Sequence, residues 1–189
     1  MNNYLKNIKK VLFTKEQIEK RIKQVAEQVK QYYIDNPPVN GPLITVGLLK
    51  GCAIFNTEFV LNLDLPIQMD FMAVSSYNGT KSTGAIKVRL DCSLDLSGRD
   101  VLIVEDMADT GLTLNKVKEN ILYKGANSVK VVTLIDKPDY HTIDFVPDWN
   151  CFEIGDYYIV GYGFDCDENY RNLPYIALYE PSNDTNSNS

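Results

Sequence analysis

The sequence contains no C-x-x-C pair and only one histidine, His141, and its four cysteines (Cys52, Cys92, Cys151 and Cys166) are scattered. That argues against a zinc site and for a reduced, cytoplasmic chain. Positive charge is not in excess: 25 Asp plus Glu stand against 19 Lys plus Arg. A nucleic-acid surface would normally be basic, so no nucleic-acid partner is expected. No window approaches the roughly 20 apolar residues of a membrane span, and no membrane partner is expected. The start, MNNYLKNIKKVLF, is basic without a long apolar run behind it and does not read as a signal peptide. Internal repeats are absent as well. A chain of 189 residues is then most simply one domain, residues 1–180, with a full-sized core.

What is present begins with helix and strand signals. Thr14-Lys15-Glu16-Gln17 has the form of a capping box, and Ile18, Ile22, Val25 and Val29 mark one apolar face, so the spacing predicts a helix to about Tyr32. Asn36-Pro37-Pro38 breaks it. Leu43–Leu49 reads as a strand ending in Lys50-Gly51-Cys52. Residues 54–61 then have helical spacing, with Ile54, Phe59, Val60 and Leu61 as core candidates. Further strands are expected over 67–74, 86–90, 129–135, 151–154, 157–162 and 175–179, separated by polar or proline-bearing connectors. Strand-helix-strand order predicts an α/β fold with a mainly parallel sheet. The tail beyond Pro181, SNDTNSNS, has no apolar residue and is expected to be disordered.

The most informative stretch is residues 101–115, VLIVEDMADTGLTLN. Four apolar residues suit a strand buried on both faces. Glu105, Asp106 and Asp109 follow, then Thr110-Gly111-Leu112-Thr113, and from Leu114 the apolar positions recur at helical spacing until Gly125. A small-residue loop opening a helix leaves backbone N–H groups where a phosphate sits well. The preceding acids suit sugar hydroxyls or a magnesium ion. The plainer alternative is that Asp109 or Thr110 caps the helix. Lys50-Gly51, at a strand end opening into a helix, is a second candidate anion site, with a solvent-facing lysine at a tight turn as its alternative. Residues 75–84, SSYNGTKSTG, are longer than a tight hairpin needs.

The run VEDMADTGLT resembles the phosphoribosyl pyrophosphate signature of the type I phosphoribosyltransferases. Together with LLKG, SSYNG, FEIGDYYIVGYGFD and YRNLPY, in that order, it is similar to the 6-oxopurine enzymes of the bacterial hypoxanthine-guanine type. The resemblance runs from about Phe13 to Tyr179. It implies the type I fold, a twisted parallel sheet flanked by helices, with a small hood from the N-terminal region and about 137–175. It also implies purine salvage: transfer of the 5-phosphoribosyl group from phosphoribosyl pyrophosphate to hypoxanthine or guanine, giving IMP or GMP and pyrophosphate. A magnesium cofactor and a homodimer or homotetramer are implied too.

Residue by residue, the resemblance assigns Lys50, Gly51, Glu105, Asp106, Met107, Ala108, Asp109, Thr110, Gly111, Leu112, Thr113 and Arg171 to phosphoribosyl pyrophosphate. Within that set, Glu105 and Asp106 orient the ribose hydroxyls, and Lys50, Gly51 and Arg171 meet the pyrophosphate. Glu105, Asp106 and Asp165 are its metal contacts, and Asp109 is the general base near the purine N7. Tyr158 stacks on the purine, Ile159 reads the base edge through its backbone, and Ser76-Tyr77 belong to a closing lid. The family also has a cis peptide before the glycine of the LLKG loop. One departure stands out. Counting back in register from Phe152-Glu153-Ile154 puts Val146 where the family has the lysine that donates to the purine 6-oxo group. An unpaired substrate carbonyl costs roughly 1–3 kcal/mol. Lys137 swinging in, a water, or a shifted base preference are the alternatives. Two competing functions follow: a phosphoribosyltransferase for xanthine or another purine, and a regulator that binds phosphoribosyl pyrophosphate without catalysis.

Overall fold

The computed structural model describes residues 3–76 and 86–181. Tyr77 and the rest of the expected lid, and the tail after Pro181, lie outside the described residues. The chain opens with a short 3-10 turn at Asn3–Leu5 and strand β1, Ile8–Phe13. Helix α1, Lys15–Asp35, follows; Gln17 N donates to Thr14 Oγ1 at 3.4 Å and Thr14 N to Gln17 Oε1 at 2.9 Å, so the capping box forms as its residues demand. Then come β2 (Leu43–Leu49), α2 (Ala53–Asn62), β3 (Ile67–Ser76), β4 (Ile86–Leu90), β5 (Asp100–Ala108), α3 (Leu112–Tyr123), β6 (Ser128–Asp136), β7 (Trp149–Glu153), β8 (Ile159–Val160) and β9 (Ile176–Tyr179).

Six strands form the larger sheet in the order β4-β3-β2-β5-β6-β7, all neighbours parallel except the β3-β4 pair. Leu102 and Val104 point to one face, among Ile18, Ile22, Val25, Phe55 and Phe59 of α1 and α2. Val101 and Ile103 point to the other, among Leu114, Val117 and Ile121 of α3. Because helices cover both faces, every side chain from Val101 to Val104 is buried, and the apolar run needs no alternation. In α2 the inward residues are Phe55, Asn56 and Phe59. Ile54 and Leu61, expected in the core, are instead 37% and 77% exposed.

The smaller sheet, β1-β9-β8, is antiparallel and joins the two ends of the chain. Strand β1 has no counterpart among the strands expected from the sequence. It is half exposed, with Lys9 and Lys10 in solvent, and so lacks an apolar run to betray it.

One topological feature decides where a ligand can sit. The chain steps from β2 outward to β3, but from β5 it steps in the opposite direction to β6. Strand order therefore reverses between β2 and β5, and a crevice opens past their carboxyl ends. Those ends carry Lys50-Gly51 and the acidic run from Glu105.

Candidate active site

Strand β5 continues through the acids to Ala108, so Glu105 and Asp106 are strand residues. Asp106 reaches across to the β2 turn: a side chain at Gly51 would collide with Asp106 Oδ2. The Leu49–Lys50 peptide is cis, one bond earlier than the peptide directly before the glycine. The far side of this turn is closed by Gly163, at φ +107°, where any Cβ would collide with Gly51 O. Glycine is needed at both contacts, at Gly51 for space and at Gly163 for space and backbone conformation. Three sequence-distant motifs thus meet at the switch point.

Arg171 fastens the third motif. Its guanidinium donates to Gly163 O at 2.7 Å and pairs with Asp165 Oδ1 at 2.9 Å, while Gly163 N donates back to Arg171 O at 3.0 Å. Glu168 Oε2 lies 3.1 Å from Lys50 Nζ and 3.3 Å from Arg171. Glu168 was not among the residues singled out from sequence.

The carboxylate pair is electrostatically loaded. Burial and then the Asp106 charge raise the Glu105 carboxyl well above its ordinary range. Burial also pushes Asp106 up to about 6, Asp165 adding to the rise and Arg171 partly opposing it. Glu105 Oε2 is buried with no hydrogen-bond partner. Two adjacent carboxylates, one oxygen unsatisfied, fit a hard divalent cation. Among the described residues, no cluster of three or more His, Cys, Asp or Glu is arranged to hold a metal. Asp165 is committed to Arg171 and to Glu168 N at 2.9 Å. A cation here would therefore draw on one or two carboxylates, with substrate oxygens and water completing its shell, as suits magnesium.

Beyond Ala108 the chain turns into the small-residue loop. Gly111 is left-handed at φ +78° and precedes α3, which has no side-chain cap hydrogen bond. Thr110 Oγ1 accepts from Leu112 N at 3.4 Å, and Thr110 O accepts from Thr142 N at 3.0 Å. Phe145 packs on Gly111, where a Cβ would come within 2.9 Å of Phe145 Cβ. The loop is thus held from behind, while Leu112 is exposed, Thr113 half-exposed, and Ala108 and Met107 pack inward.

Lys137 follows β6 at the same end of the sheet. Its N–H donates to Ala108 O at 2.9 Å, and its Nζ lies 3.6 Å from Asp109 Oδ1. Its side chain is 11% exposed, so a largely buried lysine stands beside the candidate base. Val146 requires a correction: it is 74% exposed, with its side chain largely in solvent. Asp148, two residues on, accepts from Val131 N at 2.8 Å, well back along β6 from its carboxyl end. Counting in register from the Phe-Glu-Ile strand therefore led to a solvent-exposed side chain. The signal that finds Lys137 is its position directly after a buried strand, the same position Lys50 holds after β2.

The remaining purine-site candidates lie on the smaller sheet and its loop. Ile159 is buried in β8. Tyr158 is 55% exposed, and its hydroxyl donates to Asp165 O at 3.3 Å. Burial, and then a hydrogen bond with Cys166, push the Tyr158 hydroxyl up to about 12. Ser76 ends β3, and Tyr77 lies outside the described residues.

The model of the phosphoribosyl transferase domain matches residues 10–169. The hypoxanthine-guanine phosphoribosyltransferase of Bacillus subtilis strain 168 is 41% identical over 177 residues, covering 93% of this chain and 96% of that protein. A hypoxanthine phosphoribosyltransferase structure from Staphylococcus aureus superposes with a TM-score of 0.87 at 38% identity, over 96% of this chain and 97% of that one. A Trypanosoma cruzi hypoxanthine phosphoribosyltransferase, solved to address its C-terminal region in oligomeric state and activity, gives a TM-score of 0.88 at 34% identity over 93% of each chain.

Proposed function

This chain belongs to the phosphoribosyltransferase family, and on that premise we propose that it forms IMP or GMP from phosphoribosyl pyrophosphate and hypoxanthine or guanine, releasing pyrophosphate. It is a transferase of purine salvage. The observation that carries the reading is the meeting of Gly51, Asp106 and Gly163 at the β2/β5 crevice. Anion-binding turns and sugar-orienting carboxylates converge there, where open α/β sheets take their ligands.

The placement of the residues supports the following roles. The Lys50-Gly51 turn and Arg171 receive the pyrophosphate. Glu105 and Asp106 receive the ribose hydroxyls, and the Asp109–Thr113 loop with the start of α3 receives the 5′-phosphate. Magnesium held at Glu105 and Asp106 would neutralise charge growing on the leaving pyrophosphate. Tyr158 offers a ring face to the purine, and the Ile159 backbone offers its edge-reading groups. Lys137 donates to the 6-oxo group, and Asp109 hydrogen-bonds the N7 proton. As the purine N9 bonds to the ribose carbon and the pyrophosphate departs with the electrons of the broken C–O bond, Asp109 accepts that N7 proton.

An altered base preference rested on Val146 alone. Val146 is largely in solvent, and the largely buried Lys137 beside Asp109 supports the 6-oxopurine reading instead. A homo-oligomer is the proposed assembly; exposed apolar side chains such as Leu61 and Met69 on α2 and β3 would suit a subunit interface.

Incubating the chain with phosphoribosyl pyrophosphate, magnesium and each of hypoxanthine, guanine, xanthine and adenine tests the function. Nucleotide from hypoxanthine and guanine, in preference to adenine, is the expected result. Nucleotide from none of the four would overturn it.

A further inference from the structure

Glu168 stands where its carboxylate meets both cations of the pyrophosphate site. Its Oε2 is 3.1 Å from Lys50 Nζ and 3.3 Å from an Arg171 NH2 group. The turn that aims it there is unusual: Asp167, Glu168 and Tyr170, none of them glycine, are left-handed at φ +50°, +62° and +75°. Asp165 Oδ2 accepts from Glu168 N at 2.9 Å and fixes the start of this turn. Lys50 and Arg171 together hold the Glu168 carboxyl below its usual range, so it is ionised at neutral pH.

We propose that Glu168 is an internal competitor for the pyrophosphate group, a carboxylate that bridges Lys50 and Arg171 and must yield both when pyrophosphate binds. The inference rests on the phosphoribosyl-transfer reading of the site. Two observations favour competition over support. Arg171 has separate anchors in Gly163 O at 2.7 Å and Asp165 at 2.9 Å, so it keeps its place without Glu168. The Lys50–Glu168 pair is also solvent-facing, with side chains 69% and 63% exposed. Such a pair is weak and is readily broken by a ligand of higher charge. Its return after the reaction lowers the affinity for the leaving pyrophosphate and helps to release it.

The test is calorimetric titration of pyrophosphate with magnesium into the full chain, its Glu168→Gln variant, and both again in a Lys50→Met background. Glu168→Gln should tighten binding about two- to fivefold, the scale of one surface ion pair. It should also lower the KM for phosphoribosyl pyrophosphate by a similar factor. The gain should shrink when Lys50 is absent, because part of the competition is then gone. Unchanged or weaker binding in Glu168→Gln, with the wild type binding, overturns the competitor and leaves the site reading intact. So does an undiminished gain without Lys50, which would mark a general charge effect. Absence of pyrophosphate binding in every variant overturns both.

Discussion

Lys137 Nζ lies 3.6 Å from Asp109 Oδ1, bridging the carboxyl ends of β6 and β5, with the lysine side chain 11% exposed and the aspartate 52%. The lysine is held by its own backbone, through Lys137 N to Ala108 O at 2.9 Å. A buried donor so placed suits a purine carbonyl. Lys137→Met should therefore weaken hypoxanthine and guanine binding by ten- to a hundredfold, about 1–3 kcal/mol. Val146→Lys, at a position 74% exposed, should leave both unchanged. Base titrations in the presence of a phosphoribosyl pyrophosphate analogue check both. A strong effect at Val146 with none at Lys137 would reverse the assignment.

Asp109 separates binding from chemistry. Its carboxylate is half exposed and turned toward Lys137, whereas the phosphate contacts proposed for residues 109–113 are backbone N–H groups and hydroxyls. Asp109→Asn keeps the shape and removes the proton acceptor. Turnover should fall by about 10²–10⁴-fold, while the affinity for phosphoribosyl pyrophosphate changes little. Single-turnover kinetics alongside equilibrium titration distinguish this from a general loss of fold.

Gly51 has no room for a methyl group, since Asp106 Oδ2 occupies the space. Gly51→Ala must displace either the β2 turn or the carboxylate. Overpacking of this kind costs about 1–3 kcal/mol. The loss is expected in phosphoribosyl pyrophosphate affinity more than in thermal stability, because the turn lies at the crevice and not in the core. A calorimetric Kd beside a melting curve reads the two separately.

Asp106 gives a pH signature. Burial raises its folded value from 3.8 to about 6. Between those values the folded chain binds more protons than the unfolded chain, so this group's contribution to stability falls as pH rises. At the partly buried Asp70 and the buried Asp100, desolvation is outweighed by hydrogen bonds that lower the carboxyl, so both act with the opposite sign. The prediction is therefore a difference. Relative to the wild type, Asp106→Asn should gain stability as pH rises through that window, in melting curves without ligand. A difference that is flat with pH would contradict the loaded carboxylate pair.

Much of this architecture was legible in the sequence, for reasons specific to each part. Strand β2 could be read because both its faces are covered, leaving Leu43–Leu49 apolar apart from Thr45 and Gly47. Helix α1 announced itself through Thr14 and Gln17. The acids and the Thr-Gly-Leu-Thr loop were visible because they follow a buried strand and open a helix. Strand β1 was not, since its pairing with β9 at the other end of the chain leaves no local pattern. The sequence left Lys137 as one of several alternatives to Val146, because chain register does not say which side chain is buried beside Asp109. Glu168 was invisible for a different reason. Its place depends on a left-handed turn without glycine, which no residue pattern announces.

The most direct test is calorimetric titration of phosphoribosyl pyrophosphate with magnesium into the wild type and a Glu105→Gln, Asp106→Asn double variant. If the β2/β5 crevice holds the activated sugar, the wild type binds one equivalent per chain and the double variant loses at least about tenfold in affinity, or 1.4 kcal/mol. Equal binding by a folded double variant would place the sugar elsewhere and contradict the account.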